Sequence, residues 1–571
     1  MKFASYGARS ELLYRSCLIM AGLACLHANA AYGQATSRVT PETAAPVERL
    51  PDGELALPET RVTAAPEGAE ELFVEVGMIE VVDADPAFAA EIERIVAPYA
   101  GRTVAVSELY GVAAQIEALY ARSGQILTRA TVPPQQLTDG STFRIRIVEG
   151  FIEAVDASAL PARVRSAVEA RAARLVGRRR LTMRDIERHL LLAARVPGVA
   201  LTSALAPGEQ VGGARLILNA DYRPVSGRIG VENRLSDAYD NWSVDAQIVL
   251  NSMLGAGEQI YAVGSTATDF AIFENAPMRR IAGAGVIVPI GTDGLTLNAE
   301  YLHADTNPNM PQGAAPIAGK LDRVALRLRY PLVLTRQESL NLSASFDLLE
   351  ESQRVRGFSP ALSRDKLRFV QLGMDWSKAL GGGTVVSADL AATQGLAIFD
   401  ARDEADALAS GVLLSRQGSE PDFTKIEGSA SLALPIGGGF LLTGIARGQA
   451  SLSGALPSSA QFSLDAADAL SGFELGSINV DSGATGRIEL AFAGYPQVPF
   501  VSPYLFAAGG LGRVSQPTVL ERRDVDGWSL GGGLRFELEH GLSAHGELAR
   551  SHSNIFNDDD TRMTAGIAFR F

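Results

Sequence analysis

The chain has 571 residues, 47% of them hydrophobic and 20% charged, so it is long enough for several folded domains and too apolar to be disordered. Its formal net charge of −14 argues against a nucleic-acid-binding protein, because such proteins need positive charge to meet phosphate. Only two cysteines and six histidines are present, which leaves little material for disulfides, thiolate nucleophiles or metal sites.

Residues 1–30 are predicted to be a signal peptide. An apolar run, CLIMAGLACLHA, follows three basic residues, Lys2, Arg9 and Arg15. The small residues Ala-Asn-Ala at 28–30 offer a cleavage site. Both cysteines, at positions 17 and 25, lie in this segment, so the mature chain is expected to carry no thiol. After this segment the sequence contains no run of eighteen apolar residues, so no transmembrane helix is predicted.

Residues 31–70 contain five prolines among Ala, Glu and Thr without a sustained period, and this composition predicts a linker. Two small α/β units are predicted after it, at 71–150 and 151–223. Apolar residues at helical spacing alternate there with strand-like runs such as STFRIRIVEG. The helices of the second unit are rich in arginine, which favours a solvated face, with a protein-binding patch as the alternative.

From residue 224 to the end, alternation with period two replaces helical periodicity. The last strand shows it clearly, because its apolar residues share one face, namely Met563, Ala565, Ile567, Phe569 and Phe571. Sixteen segments of this kind are predicted, and they begin near Arg228, Ser243, Gln259, Arg280, Leu295, Asp322, Ser339, Lys366, Thr384, Asp422, Phe440, Gly486, Val501, Gly527, Leu542 and Arg562. An even number of strands and an aromatic last residue favour an outer-membrane barrel over the alternative, a soluble β-sandwich.

The connections between these segments alternate between short and long. Tight turns such as LGAGE at 254, GTDG at 291 and GYPQVP at 494 alternate with long polar stretches, including 306–320, 352–365, 397–421 and 453–485. This alternation is typical of outer-membrane barrels, whose short turns face the periplasm. Three arginines of one segment, Arg323, Arg327 and Arg329, fall opposite its apolar residues and are expected to face a polar lumen. The predicted fold is therefore a transmembrane β-barrel of sixteen antiparallel strands preceded by two small α/β domains.

The stretch LYARSGQILTRATVPPQQLTDGSTFRIRIVEGFIEAV, residues 119–155, resembles the signature of the POTRA domain in two-partner secretion transporters. These are the haemolysin and filamentous-haemagglutinin secretion/activation proteins. The matching positions are Tyr120, Gly124, Pro133, Pro134, Gln135, Val148, Glu149 and Gly150. RVPGV at 195–199 is similar to the second POTRA domain of that family. The resemblance implies that 71–150 and 151–223 are POTRA domains and that the signature residues bind the protein to be exported.

The resemblance also implies a function. The chain is expected to be a translocation pore in the outer membrane of a Gram-negative bacterium, with periplasmic POTRA domains that recognise an unfolded partner protein and a barrel that exports it. The implied partners are a large β-helical exoprotein, outer-membrane lipid, and the periplasmic chaperones and barrel assembly machinery. No cofactor is implied. The alternative within the same superfamily is an assembly factor that inserts other barrels, against which the two POTRA units and the PPQ turn argue.

An enzyme is not expected, because the chain contains no G-x-S-x-G, no H-E-x-x-H and no P-loop. Three histidines near the end, His540, His545 and His552, lie along one tight hairpin without helical spacing. They are predicted to be solvated histidines of the barrel rather than metal ligands.

Members of the family thread a long loop back into the barrel, and the arginine of its V-R-G-[YF] tip pairs with an acidic motif on a neighbouring strand. Two stretches here compete for that role. VRGF at 355–358 matches the V-R-G-[YF] motif at every position. Leu-Ser-Gly-Phe at 470–473 does not, but it lies in the long connection where the motif is expected, before GSINVDSGATGRIEL. The second assignment is preferred. It puts Ser471 at the arginine position, so no pairing with Asp481 is expected, and Arg487 becomes the candidate partner of Asp481.

The predicted lumen site therefore consists of Leu470, Ser471, Gly472, Phe473, Asp481, Gly483 and Arg487. Phe569 and Phe571 are predicted to form the signal at the end of the barrel. Some relatives also carry a plug helix within the region that corresponds to 31–70. The composition of residues 31–70 leaves both alternatives, a plug helix and a plain linker.

Overall fold

The structure is a computed structural model that describes residues 35–47, 54–56, 65–268, 273–274, 276–310, 315–358, 360–492, 500–519, 521–556 and 559–571. The predicted signal peptide with its two cysteines lies outside the described residues, as does the whole of the turn predicted at 494. The chain forms two compact units. One contains 50–223 and 254–257, and the other contains the residues up to 49, 224–253 and 258–571.

The first of these units is built from eight strands and four α-helices. The strands are β1 (Glu54–Ala56), β2 (Phe73–Val82), β3 (Arg102–Ala105), β4 (Arg129–Thr131), β5 (Ser141–Val148), β6 (Phe151–Asp156), β7 (Val199–Pro207) and β8 (Gly213–Tyr222). The helices are α1 (Ala89–Val96), α2 (Val106–Arg122), α3 (Ala162–Ala172) and α4 (Met183–Ala194). Among the described residues, no helix is both long and apolar enough to cross a membrane.

The sheet of the first α/β domain has the strand order β3-β2-β5-β4. Alternate residues of β5, such as Phe143 and Ile145, point into a core that α2 closes with Leu109, Val112 and Ile116, all three fully buried. Before α1, the Asp85 carboxylate accepts a hydrogen bond from the Ala87 N–H at 3.0 Å, with a proline at the first helical position. The alternation of helical and extended periodicity in the sequence thus produces one small α/β layer.

The sheet of the second α/β domain has the order β1-β7-β8-β6. Thr182 and Asp185 form a reciprocal capping box at the start of α4. The prediction of a plain linker over 31–70 is incomplete, because β1 lies in it and pairs parallel to β7, with Glu54 opposite Thr202. A strand of three residues carries too weak a periodic signal to be seen in a sequence rich in proline.

Several arginines expected to form a solvated face also bond within the second α/β domain. Arg171 is buried and donates to the Ala167 carbonyl, whereas Arg165 donates to two carbonyls before α3. Arg180 instead pairs with Glu149 of the first α/β domain at 2.8 Å. These guanidinium groups therefore serve the packing of the domain as well as its solubility.

The second unit is a closed barrel of sixteen antiparallel strands, as predicted. They are β9 (Val225–Glu232), β10 (Ser243–Asn251), β11 (Gln259–Ala267), β12 (Arg279–Ile290), β13 (Leu295–Thr306), β14 (Ile317–Leu334), β15 (Glu338–Val355), β16 (Ala361–Ala379), β17 (Val385–Gly395), β18 (Thr424–Gly437), β19 (Phe440–Ser451), β22 (Ser482–Phe492), β23 (Val501–Arg513), β24 (Asp524–Glu537), β25 (Leu542–Ser553) and β26 (Asp560–Arg570). Two short strands, β20 (Phe462–Ser463) and β21 (Asn479–Val480), and one helix, α5 (Glu404–Ser410), lie in the connections.

All but two of the predicted strand starts lie inside the strand they mark; Thr384 and Asp422 come just before theirs. The loops expected at 306–320 and 352–365 are both predicted too long. The connection expected at 352–365 is shortened to 356–360, because β15 and β16 keep pairing as far as Arg354 opposite Ala361. The barrel closes between β26 and β9.

The two faces of the barrel wall differ in polarity. On β14, Val324, Leu326 and Leu328 are 43%, 47% and 41% exposed. The alternating residues Arg323 and Arg327 instead pair with carboxylates of the neighbouring strands. Because charged groups avoid lipid and apolar groups avoid water, the apolar face is the outer surface and the charged face lines the lumen.

Candidate functional site

Two segments of the chain lie against the charged inner face of the barrel. One is the N-terminal segment, residues 35–47. The other is the long loop, residues 452–481, which connects β19 to β22. Both are held by hydrogen bonds and ion pairs to side chains that point into the lumen. Both segments therefore lie inside the barrel.

The N-terminal segment forms a 3-10 turn, Thr36–Val39, followed by extended chain. Thr36 and Val39 are completely buried, and the hydroxyl of Thr36 bonds to that of Thr306 at 2.9 Å. The described part of the region predicted to be a linker therefore includes a segment packed in the barrel, and that segment is not an α-helix. Polar contacts hold it, so it lacks the amphipathic stripe by which a plug helix would be recognised.

The tip of the long loop is buried in an apolar cluster. Leu470 is fully buried, and Phe473, which is 5% exposed, stacks on Phe556 with ring centroids 5.8 Å apart. Gly472 fits closely against β25: a Cβ at this position would lie 2.9 Å from the Ser551 hydroxyl oxygen, which itself donates to the Gly472 carbonyl. The tip is therefore seated in a fitted pocket of the wall.

Ser471, at the centre of the tip, meets an ion pair that belongs entirely to the wall. Its hydroxyl donates to Glu547 at 2.5 Å and accepts from Arg487 at 2.8 Å. Arg487 on β22 and Glu547 on β25 pair with each other at 2.8 Å, and the Tyr504 hydroxyl also donates to Glu547. Arg487 and Glu547 are each only 4% exposed. The arginine that pairs with a carboxylate at this site thus lies on the wall, and the loop supplies a neutral hydroxyl.

Two aromatic rings and a second ion pair surround this contact. Arg535 pairs with Glu489, which also accepts a weaker bond from Arg487 at 3.3 Å. The Arg487 guanidinium lies 3.5 Å from the centre of the Phe506 ring, and the Arg535 guanidinium lies 3.9 Å from that of Tyr504. Two arginines and two glutamates balance each other, with the rings providing further cation–π attraction. The wall cluster is therefore electrically satisfied without the loop.

Asp481, at the base of the long loop, is completely buried and is bound by three connections at once. It pairs with Arg416, from the β17–β18 connection, at 2.5 Å. The main-chain N–H groups of Leu456 and Ser515 donate to its two oxygens at 2.8 and 2.7 Å. The expectation that Arg487 would be its cation is wrong. Its partner, Arg416, lies 65 residues away in another loop, and no sequence spacing predicts a pair at that separation.

The competing VRGF stretch lies elsewhere. Val355 ends β15, and the Arg356 N–H donates to the Pro316 carbonyl of the adjoining loop. Phe358 is 67% exposed. The structure thus places 470–473, and not 355–358, against the lumen wall. Gly483, at the start of β22, is packed so closely that a Cβ would lie 2.8 Å from the Leu511 carbonyl oxygen.

Most of the predicted POTRA signature residues are structural in the first α/β domain. Tyr120 is 1% exposed, packs against Phe88, and its hydroxyl accepts the Asp85 N–H at 2.8 Å. Burial raises the pKa of this hydroxyl, which therefore stays protonated. Gly124 has φ +89° in the turn after α2, and a Cβ at Gly150 would lie 2.0 Å from a carbonyl oxygen.

The remaining signature residues lie at the open side of β5. The Gln135 amide donates to the Arg144 carbonyl at 2.9 Å and accepts the Arg144 N–H at 2.8 Å. Pro133 and Pro134, which have no N–H, precede it, and Pro134 is exposed. Of this set, only the Gln135 region exposes main-chain groups of a strand edge. A role of these residues in binding an exported protein stays a prediction.

Phe571 continues the ladder at the barrel seam, where its N–H and carbonyl exchange two hydrogen bonds of 3.1 Å with Gly227. Its ring stacks on that of Phe569, and both are partly exposed on the outer face. Of the three histidines, His552 bonds to Asp559 at 2.9 Å, and His540 lies in the turn before β25. Within the part of the chain that the structure describes, no three His, Cys, Asp or Glu residues are grouped to hold a metal ion.

Comparison with known families gives two matches. Residues 212–535 match the family described as haemolysin secretion/activation protein ShlB/FhaC/HecB, and residues 75–150 match the ShlB-type POTRA domain.

Individual proteins agree with these matches. The chain is 28% identical over 236 residues to the outer membrane transporter CdiB of Escherichia coli, covering 40% of this chain and 39% of that relative. It is 23% identical over 350 residues to the heme/hemopexin transporter protein HuxB of Haemophilus influenzae, covering 60% of each. The alignments thus span less than two thirds of either relative. The solved structure of CdiB from Escherichia coli has a TM-score of 0.69 over 99% of both chains at 21% identity, a likeness that shows the fold.

Proposed function

The chain belongs to the haemolysin secretion/activation protein family, and from this membership we propose that it exports a partner protein across the outer membrane. The barrel is an outer-membrane barrel, and the α/β region is periplasmic. The α/β region captures the partner while it is unfolded, and the barrel passes it outward. Since chemistry on a substrate has no part in this role, the protein is proposed not to be an enzyme.

One observation supports this function most strongly. The barrel encloses two segments of its own chain, and hydrogen bonds and ion pairs, which can break and re-form, hold these segments against its wall. The N-terminal segment and the long loop touch each other, because Arg38 donates to Gln461 at 2.6 Å. Neither segment is needed to pair the strands of the wall, which form a complete ladder. Both can leave while the barrel stays closed, and this is what a pore for a large cargo requires.

The capture step is proposed to use the edge of β5. Strand β4 pairs with β5 only from Arg129 to Thr131, and further along the edge the Gln135 side chain bonds to the main chain of Arg144. This amide occupies the place of a peptide group in an added strand. An extended segment of the partner can displace it and bond to β5, with affinity from main-chain hydrogen bonds and tolerance of sequence.

The capture step is tested with Gln135→Ala and, as its matched control, Gln136→Ala at the exposed neighbouring position. Removing the competing amide should tighten binding of the unfolded partner about fivefold, because the two lost bonds together contribute roughly 1 kcal/mol net. The measurement is titration of the full-length protein with the amino-terminal part of the exoprotein encoded by the neighbouring gene. Equal affinities for both variants would show that the partner does not add to this edge.

The export function is tested in cells by following that exoprotein into the medium with and without this chain. Export should require the chain, and removal of residues 71–150 should stop export while the barrel still inserts, as judged by heat-modifiable migration. The assembly-factor alternative predicts the opposite result: unchanged export and a fall in other outer-membrane barrels.

A further inference from the structure

We infer that the wall that holds the N-terminal segment is a binding track for the main chain of an extended polypeptide, which the exported protein occupies once the segment has left. This inference rests on the proposed function. It names the lumen residues that contact the cargo and the chemistry of the contact.

Two carbonyl groups of the segment are bound by three arginines of two barrel strands. The Val39 carbonyl accepts from Nη2 and Nε of Arg279 on β12, at 2.9 and 3.2 Å. The Glu42 carbonyl accepts from Arg323 at 2.7 Å and from Arg327 at 3.2 Å, both on β14. Because the Glu42 side chain is exposed, the contact at this position is made by the main chain. These arginines recognise a peptide carbonyl and not a particular side chain.

The N–H groups of the segment are bound by carboxylates of the same wall. The Ser37 N–H donates to Glu351 on β15 at 2.8 Å, and the Ala44 N–H donates to Glu300 on β13 at 2.9 Å. The Ala44 carbonyl accepts from the Gln247 side chain on β10 at 2.9 Å. The wall therefore offers both donors and acceptors along eight residues of chain, Ser37 to Ala44, as a strand edge does, although it uses side chains for both.

Two of the arginines that bind the segment keep ion pairs of their own when the segment is absent. Arg323 pairs with Asp347 at 2.8 Å, and Arg327 pairs with Glu300 at 2.9 Å. A buried ion left without a partner would be costly, so these wall pairs make release and re-occupation possible. Space is provided as well, since a Cβ at Gly319 would lie 2.0 Å from the Thr36 hydroxyl oxygen. The absence of a side chain there lets a polypeptide lie directly on the strand.

Full-length variants separate main-chain recognition from side-chain recognition. Three side-chain hydroxyls of the segment also bond to the wall, and they are removed together by Thr36→Ala, Ser37→Ala and Thr43→Ala. The wall donors are removed by Arg279→Gln with Arg323→Gln. Arg329→Gln is the matched control, because Arg329 lies on the same face of β14 and pairs with Asp375.

The readout is spontaneous opening of the purified protein in planar lipid bilayers. The triple hydroxyl variant should open within about threefold of wild type, whereas the wall variant should open at least about tenfold more often, since bonds to charged groups are the stronger ones. Arg329→Gln should behave as wild type. If the hydroxyl variant opens as freely as the wall variant, the segment is a sequence-specific plug and the inference is wrong.

Peptides test whether the same track takes other chains. The probes are a synthetic peptide of residues 35–47, a scrambled version, and the native peptide N-methylated at Ser37 and Ala44. They are added to a variant that lacks 35–47. Both unmodified peptides should block the current with affinities within about tenfold, and N-methylation should weaken the block at least about tenfold because it removes two bonds to carboxylates. A block by the native peptide alone would overturn the inference.

These measurements do not depend on export in cells. A protein that binds both peptides but exports nothing would refute the proposed function and leave the track in place. A protein that exports its partner but shows no block by the scrambled peptide would refute the track alone.

Discussion

Moving one arginine from the barrel wall to the loop tip tests how the long loop is held. The change is the double substitution Ser471→Arg with Arg487→Ser. In the natural chain, the Ser471 hydroxyl bonds to Glu547, while the ion pair between Arg487 and Glu547 lies wholly on the wall. The exchange keeps the same groups at the site but makes the ion pair the link between loop and wall. We therefore expect the loop to be held more tightly.

The magnitude follows from what is broken when the tip leaves. In the natural chain, the link between the tip and Glu547 is one hydrogen bond from a hydroxyl to a carboxylate, which is worth about 1.5–3 kcal/mol. In the exchanged protein, departure of the tip separates a buried ion pair, which costs about 3–5 kcal/mol. The difference of about 1.5–2 kcal/mol corresponds to opening that is roughly ten to thirty times rarer.

The single substitutions should do the opposite. Ser471→Arg alone places a second guanidinium beside that of Arg487, which lies 2.8 Å from the serine oxygen in a site that excludes water. Like charges repel strongly there, so the loop should open more often. Arg487→Ser alone removes the guanidinium that pairs directly with the buried Glu547 carboxylate, which should lower the melting temperature of the barrel.

Conductance in planar bilayers of the wild type, both single variants and the exchange completes a double-mutant cycle, and heat-modifiable migration checks that each barrel has folded. The expected interaction between the two substitutions is favourable. The reasoning is refuted if Ser471→Arg alone closes the pore as well as the exchange does, because the new guanidinium would then have found a carboxylate other than Glu547.

Three further changes test other parts of the structure. Asp481→Asn leaves the buried Arg416 without its carboxylate, at a cost of about 3–5 kcal/mol, and should increase the noise of the current in planar bilayers. Arg356→Ala, on the outer hairpin, should leave the current unchanged. Equal noise from the two variants would contradict this placement of the loop. Ile116→Asp buries a charge in the core, so it should cost several kcal/mol and lower the melting temperature of the periplasmic region of the full-length protein. Leu119→Asp, at a partly buried position, should lower that melting temperature less. Equal effects of the two substitutions would count against the helix orientation. Burial by itself raises the pKa of the Asp185 carboxyl, but hydrogen bonds and a nearby guanidinium outweigh burial, so the pKa in the folded protein is lowered. The contribution of Asp185 to stability is therefore complete above the unfolded pKa of about 3.9 and disappears as the pH falls through the lower folded pKa. Asp185→Asn should therefore destabilise at pH 7 and have a smaller effect as the pH falls below about 3.9; a loss of melting temperature that does not change with pH would disprove the shift.

The barrel could be predicted because each of its strands carries its own evidence. Alternation over a strand such as β15 places apolar side chains toward lipid and polar ones toward the lumen, and nothing distant can reverse that assignment. The strand number followed from counting such segments. The loop at 352–365 was predicted too long because polar residues at the end of a hairpin look the same whether they are paired or not. Pairing continues there to Arg354.

The site could be predicted only in part, because its contacts join residues that are far apart in sequence. The position of the loop tip followed from its place between two strands. Its partner Glu547 lies 76 residues away, and Arg416 lies 65 residues from Asp481. A glutamate in an alternating strand carries no local sign of which loop it will bind. The N-terminal segment was missed for a related reason, since it is bound through main-chain groups that every sequence has.

The distribution of charge along the long loop determines which part of it can move. The tip is neutral, and its departure breaks the Ser471 bond while Arg487 and Glu547 remain paired on the wall. The base carries the buried charge of Asp481, which is held by the Leu456 N–H of the same loop and by the Arg416 guanidinium and the Ser515 N–H of two other connections. Lifting the base would separate an ion pair that is out of contact with water, whereas the pairs that flank the tip, Asp468 with Arg447 and Glu474 with Arg562, are partly exposed and cost less to separate. The base is therefore the hinge and the tip is the gate, so substitutions at Ser471 should change how often the pore opens, while substitutions at Asp481 should loosen the whole loop.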